Sequence, residues 1–205
     1  MTSPRPRQAH RPRAAPNGFD FTAHMRRLCD DMVRRLPELG HIDFSRVAVS
    51  FSQTRKGGDL GIYASLTPMR FAGGCTHTVR RGRKWGVQRL LDPAGREMLY
   101  ILSFYLPRFL DRGFHEKLTT VVHELWHIGP RFDGDLRRFG GRCYAHSGSQ
   151  KKFDAHAQRL AKRWLSLEPP EPIYGFLQHR FQDLVVRYGR VHGTKIPTPK
   201  LIPLD

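Results

Sequence analysis

The sequence predicts an α+β domain in which a mixed or antiparallel β-sheet packs on one helix carrying a His-Glu-x-x-His string. Three observations point there. Apolar residues recur every three or four positions in two separate stretches, short β-rich runs lie between those stretches, and TTVVHELWHIG at 119–129 follows the most apolar of the runs.

The first periodic stretch is FDFTAHMRRLCDDMVRRLPEL. Phe21, Met25, Leu28, Met32 and Leu36 make one stripe, with Thr22 as the expected cap and Pro37 as the stop. Cys29 lies beside the stripe and reads as core filler. Strand character follows at 47–51 (VAVSF), 61–68 (GIYASLTP), 84–91 (KWGVQRLL) and 98–107 (MLYILSFYLP), and DPAGRE between the last two reads as the turn of a hairpin. The loop QTRKGGD at 53–59 has neither phosphate-binding glycine string and reads as a turn.

In the second stretch, RFLDRGFHEKLTTVVHELWHIG, the residues Leu118, Val121, Val122, Leu125 and Trp126 supply a buried side, and Gly129-Pro130 ends the helix. Residues four apart share a helix face, so His123 and His127 point the same way with Glu124 beside them. Two imidazoles so placed can ligate one zinc ion and leave room for a third protein ligand and a water. Zinc lowers the pKa of that water, and Glu124 is the expected general base. His146 is the preferred third ligand, since a nitrogen donor after the Gly140-Gly141 return can fold back; Asp133, Asp154 and His156 are the alternatives, and those left unused would orient the ligating rings. KKFDAHAQRLAKRWL, which carries Asp154 and His156, is a further candidate helix.

Composition bounds the rest. Lys and Arg number 35 against 18 Asp and Glu, a net charge of +17, with clusters at Arg80, Arg81, Arg83 and Lys84, at Arg137, Arg138 and Arg142, and at Lys151 and Lys152. Such a surface attracts polyanions, which suits non-specific nucleic-acid binding. Residues 1–17 are rich in Arg and Pro and read as a disordered basic arm; 18–167 form the predicted domain, and 168–205 a Pro-rich extension able to pack on the core, add a strand near 184–191, or meet a partner. Three cysteines without a CxxC pair suit a reducing compartment, no apolar run reaches membrane-spanning length, and the N-terminus lacks the apolar core of a secretory signal; the expected setting is cytoplasmic. His179 and His192 read as surface or packing residues.

The segment HELWHIGPRFDGDLRRFGGRCYAHSGSQKKFD, residues 123–154, resembles a zincin-like metallopeptidase family of phage and bacterial genomes, with the HExxH helix, the HIGP[RK]FDG segment, the later histidine and the KK-[FY]-D string in common. The resemblance implies a zinc-dependent peptidase of protein or peptide substrates, with His123, His127 and His146 on the metal and Glu124 as the catalytic glutamate. The metzincin pattern is met only in part: Asp133 occupies the last ligand position, but Pro130 stands where that pattern has glycine. A looser similarity joins the chain to SprT-like proteases, whose zinc-ribbon cysteines it lacks. The competing expectation is a basic nucleic-acid-binding or phage-related adaptor protein whose metal site is structural.

Overall fold

A computed structural model describes residues 18–54, 61–139 and 150–204. Strand β1 (Phe19–Asp20) leads directly into helix α1 (Phe21–Arg35). Asp20, not Thr22, is the cap: its carboxylate accepts from Ala23 N at 3.0 Å. Because β1 pairs in parallel with β7 (Val191–His192), the backbone is still extended at Asp20 and helical winding can begin only at Phe21. Thr22 sits in the first turn, where its hydroxyl donates to Asp20 and accepts from Thr194 N. The helix ends at Arg35 because Leu36, preceding Pro37, takes an extended backbone.

The main sheet is mixed. Strand β2 (Val47–Gln53) runs parallel to β6 (Tyr100–Leu106), in register Val47 with Tyr100, and β3 (Ala64–Pro68) runs antiparallel on the other side of β6. The central strand is thus the most apolar one, with Tyr100, Leu102, Phe104 and Leu106 fully buried. A second sheet, which the sequence reading does not foresee, joins β4 (His77–Arg80), β5 (Arg83–Val87) and β8 (Leu201–Pro203) in antiparallel order. The hairpin expected between 84–91 and 98–107 is therefore corrected. DPAGRE does turn the chain, with Asp92 N donating to Arg96 O and Leu91 bridged to Glu97, but β5 and β6 then enter different sheets.

Helix α2 (Phe114–Trp126) presents Leu118, Val121, Val122 and Leu125, all fully buried, toward the core, and Glu116 reaches back to Gly113 N at 2.9 Å to satisfy its first turn. Helix α3 (Gln150–Ser166) packs along it and buries Ala157, Leu160, Ala161 and Trp164, and the Trp164 indole N–H donates to Asp31 of α1 at 2.9 Å. Helices α4 (Glu171–Tyr174) and α5 (Phe181–Tyr188) complete the chain with β7 and β8. The segment after 167 belongs to the same core, which buries Phe176, Leu177 and Leu184. The strand expected near 184–191 is corrected: 184–188 is helical, since Leu184 and Tyr188 recur at helical spacing against the core; Pro172 lies in the first turn of α4, where its missing N–H costs nothing. Lys117 Nζ, buried beneath this segment, donates to the carbonyls of Leu177 (2.9 Å) and His179 (2.7 Å) and ties it to α2. Among the described residues no helix is long and apolar enough to cross a membrane.

Candidate metal centre

The last turns of α2 bring His123 and His127 one above the other, with their Nε2 atoms 3.1 Å apart. Two nitrogens bound tetrahedrally at about 2.0–2.1 Å from one zinc ion stand about 3.3 Å apart. The spacing of the pair is within a few tenths of an ångström of that separation, and the two rings are hydrogen-bonded to each other. Helix α3 fixes both rings from behind: Phe153 stacks on His127 at 4.7 Å between centroids and meets His123 edge-on at 4.7 Å. The Asp154 carboxylate stands 3.1 Å from His123 Nδ1, which assigns that nitrogen the proton and leaves Nε2 with the lone pair.

Glu124 turns from this face toward the edge of the main sheet. It is 8% exposed, burial pushes its carboxyl up to about 7, and the Leu66 N–H of β3 works against that rise. Leu66 is free to donate because alternate residues of an edge strand direct their N–H groups away from the neighbouring strand. Glu124, His123, Asp154 and Thr120 border an open cleft of about 390 Å³, whose opposite wall is Ile62, Tyr63 and Ala64.

The other ligand candidates divide. His146 lies outside the described residues. Asp133 accepts from Arg131 Nε at 2.9 Å and from Asp135 N at 3.2 Å, and rests against Gly74. Its turn is held by the buried Tyr100 hydroxyl, which donates to Asp135 O (2.8 Å) and accepts from Gly134 N (3.0 Å), and by the bridge from Ile128 to Leu136. At Gly129 a side chain would meet Asp135 O at 2.7 Å, so the close return after the helix requires glycine. His156 is about 200° around α3 from Asp154; its ring lies 4.4 Å from Trp126, and burial with the neighbouring Arg159 and Arg137 cations lowers its pKa. Trp126 itself is only half-buried, covered by the Arg137 guanidinium at 3.7 Å. Among the described residues no three His, Cys, Asp or Glu side chains come together as a metal site. The donors that the described residues bring together here are two imidazoles and one carboxylate, a set whose chemistry suits zinc.

Three contributors escape the sequence reading. Phe153 supports both imidazoles, Asp135 accepts from Gly73 N and from both arms of Arg138 to build the loop after the helix, and Lys117 anchors α2. Only Lys117 left a signal, a lysine standing immediately before the apolar stripe of α2. Compared with family models, with curated proteins and with solved structures, the chain gives no match.

Proposed function

We propose that this chain is a zinc-dependent peptidase of zincin-like architecture, acting on protein or peptide substrates. The observation that carries the reading is the pair of Nε2 atoms 3.1 Å apart, with Asp154 behind His123 and a buried glutamate one residue along the helix; His123, Asp154 and Glu124 line one cleft. His123 and His127 would hold the metal, with His146 proposed as the third ligand. A zinc ion bound there supplies a water of lowered pKa and polarises the substrate carbonyl. With zinc held there, Glu124 would take a proton from that water on its carboxylate and would return it to the departing amine nitrogen. Asp154 holds the His123 ring in the tautomer that presents Nε2. Thr119, Thr120 and the Ile62–Ala64 stretch shape the cleft in which a peptide would lie beside Glu124. The resemblance of residues 123–154 to the phage and bacterial metallopeptidases favours the same chemistry.

The test compares the parent with Glu124→Gln at equal zinc content on a mixed peptide library, with new N-termini counted by mass spectrometry. The variant should keep its zinc and cut roughly 10²–10⁴-fold more slowly, the span of general-base contributions. Cleavage at the parental rate overturns the assignment.

A further inference from the structure

The β4–β5 hairpin is built in a way that its own folding does not explain. Its two-residue tip, Arg81-Gly82, has positive φ at both positions (51° and 75°), the tight turn that matches the twist of paired strands, yet one of the two is an arginine. Arg80 and Arg83 face each other directly across the last rung, where like charges repel. Arg80, Arg81, Arg83 and Lys84 are all exposed, and none forms an ion pair among the described residues. No Asp or Glu occurs anywhere from Phe71 to Leu91. The sheet adds Lys200 on β8's approach to β5, and the face holding Arg80 and Arg83 is a shallow cleft of about 440 Å³ completed by Trp85 and Leu201. Four uncompensated cations at a projecting tip oppose folding and favour an anionic partner.

We propose that this hairpin docks on double-helical DNA, with Arg80, Arg81, Arg83 and Lys84 contacting phosphates along the major groove. A two-stranded ribbon, its strands about 4.8 Å apart, fits a groove about 12 Å wide. The deep, narrow major groove of an RNA duplex does not admit it. Single strands are bound mainly by stacking on open Phe, Tyr or Trp faces, whereas the hairpin's one such ring, Trp85, is half-buried with the Arg83 guanidinium 5.8 Å from its centroid. The contacts are to phosphates, so binding is indifferent to base sequence and the whole-chain charge of +17 steers the encounter. The inference stands apart from the peptidase reading, since no residue of the hairpin borders the His123–Glu124 cleft.

The test measures binding of the full chain to a labelled 30-base-pair DNA duplex by fluorescence anisotropy across a salt series. Each phosphate contact contributes about 0.9 to the slope of log K against log salt, so R80Q/R81Q/R83Q/K84Q should flatten it by about 3–4. R26Q/R27Q/R159Q/K162Q removes equal charge from helices α1 and α3 and should flatten it by less than 1. R80K/R81K/R83K, which keeps the charge, should restore the parental slope and so separate lost contacts from lost folding. Equal losses in the two neutralised variants overturn the proposal, as does no binding of the parent at low salt. Tighter binding to an RNA duplex, to single-stranded DNA or to phosphatidylserine vesicles than to duplex DNA overturns it too.

Discussion

Removing the Asp154 carboxylate isolates what α3 contributes to the metal centre. Asp154 Oδ1 lies 3.1 Å from His123 Nδ1, with side-chain exposures of 43% and 18%. Partners that orient a ligating histidine are typically worth 10–100-fold in metal affinity, or about 1.4–2.8 kcal/mol. Exposure of the carboxylate lets water replace it in part, which places Asp154→Ala near the lower end, about tenfold. Asp154→Asn keeps an oxygen that can accept from Nδ1–H and should lose roughly half that free energy, about threefold. Global stability should change by less than about 1 kcal/mol in both variants, because the pair is partly solvated. The assay is competition for zinc between metal-free protein and a chromophoric chelator near neutral pH, with a thermal melt of each metal-free variant. Zinc affinity of Asp154→Ala within twofold of the parent would refute the orienting role. A loss beyond 1000-fold would also refute it, by making Asp154 a ligand.

Two further perturbations test the frame around the site. Tyr100→Phe leaves Gly134 N–H and Asp135 C=O without their buried partner and should cost about 1–3 kcal/mol in urea unfolding; a loss below about 0.5 kcal/mol would show that the 129–136 turn does not depend on that hydroxyl. Burial lowers the Lys117 ammonium from 10.5 to about 8, so the folded state sheds its proton before the unfolded state does. The resulting penalty is full below pH 8 and fades as pH rises to 10.5, up to roughly 3 kcal/mol in all. The parent should therefore gain stability relative to Lys117→Met between pH 7.5 and 10.5, and a constant difference would contradict the shift.

The helices were legible because their apolar residues fall at helical spacing on faces that are in fact buried: Met25, Leu28 and Met32 in α1, Leu118, Val121 and Leu125 in α2. The sheet order was not. Strand β6 finds its partners 53 and 36 positions earlier, at Val47 and Leu66 for Tyr100 and Leu102, and local pattern carries no record of such pairings. The short strands β4 and β8 escaped because their residues are largely exposed, so no alternation of apolar and polar positions marks them. At the site, His123, Glu124 and His127 could be read from one helical turn. The roles of Phe153 and Asp154 depend on how α3 lies against α2, and the turn that carries Asp133 is held by Tyr100, a residue 33 positions away.

The most direct test of the central claim is anomalous diffraction from crystals of the protein grown with zinc, recorded on both sides of the zinc absorption edge. One strong peak is expected at about 2.0–2.1 Å from Nε2 of both His123 and His127, with Asp154 still against His123 Nδ1. No peak between the two imidazoles at full zinc loading, or a peak elsewhere with the two rings still bonded to each other, would contradict it.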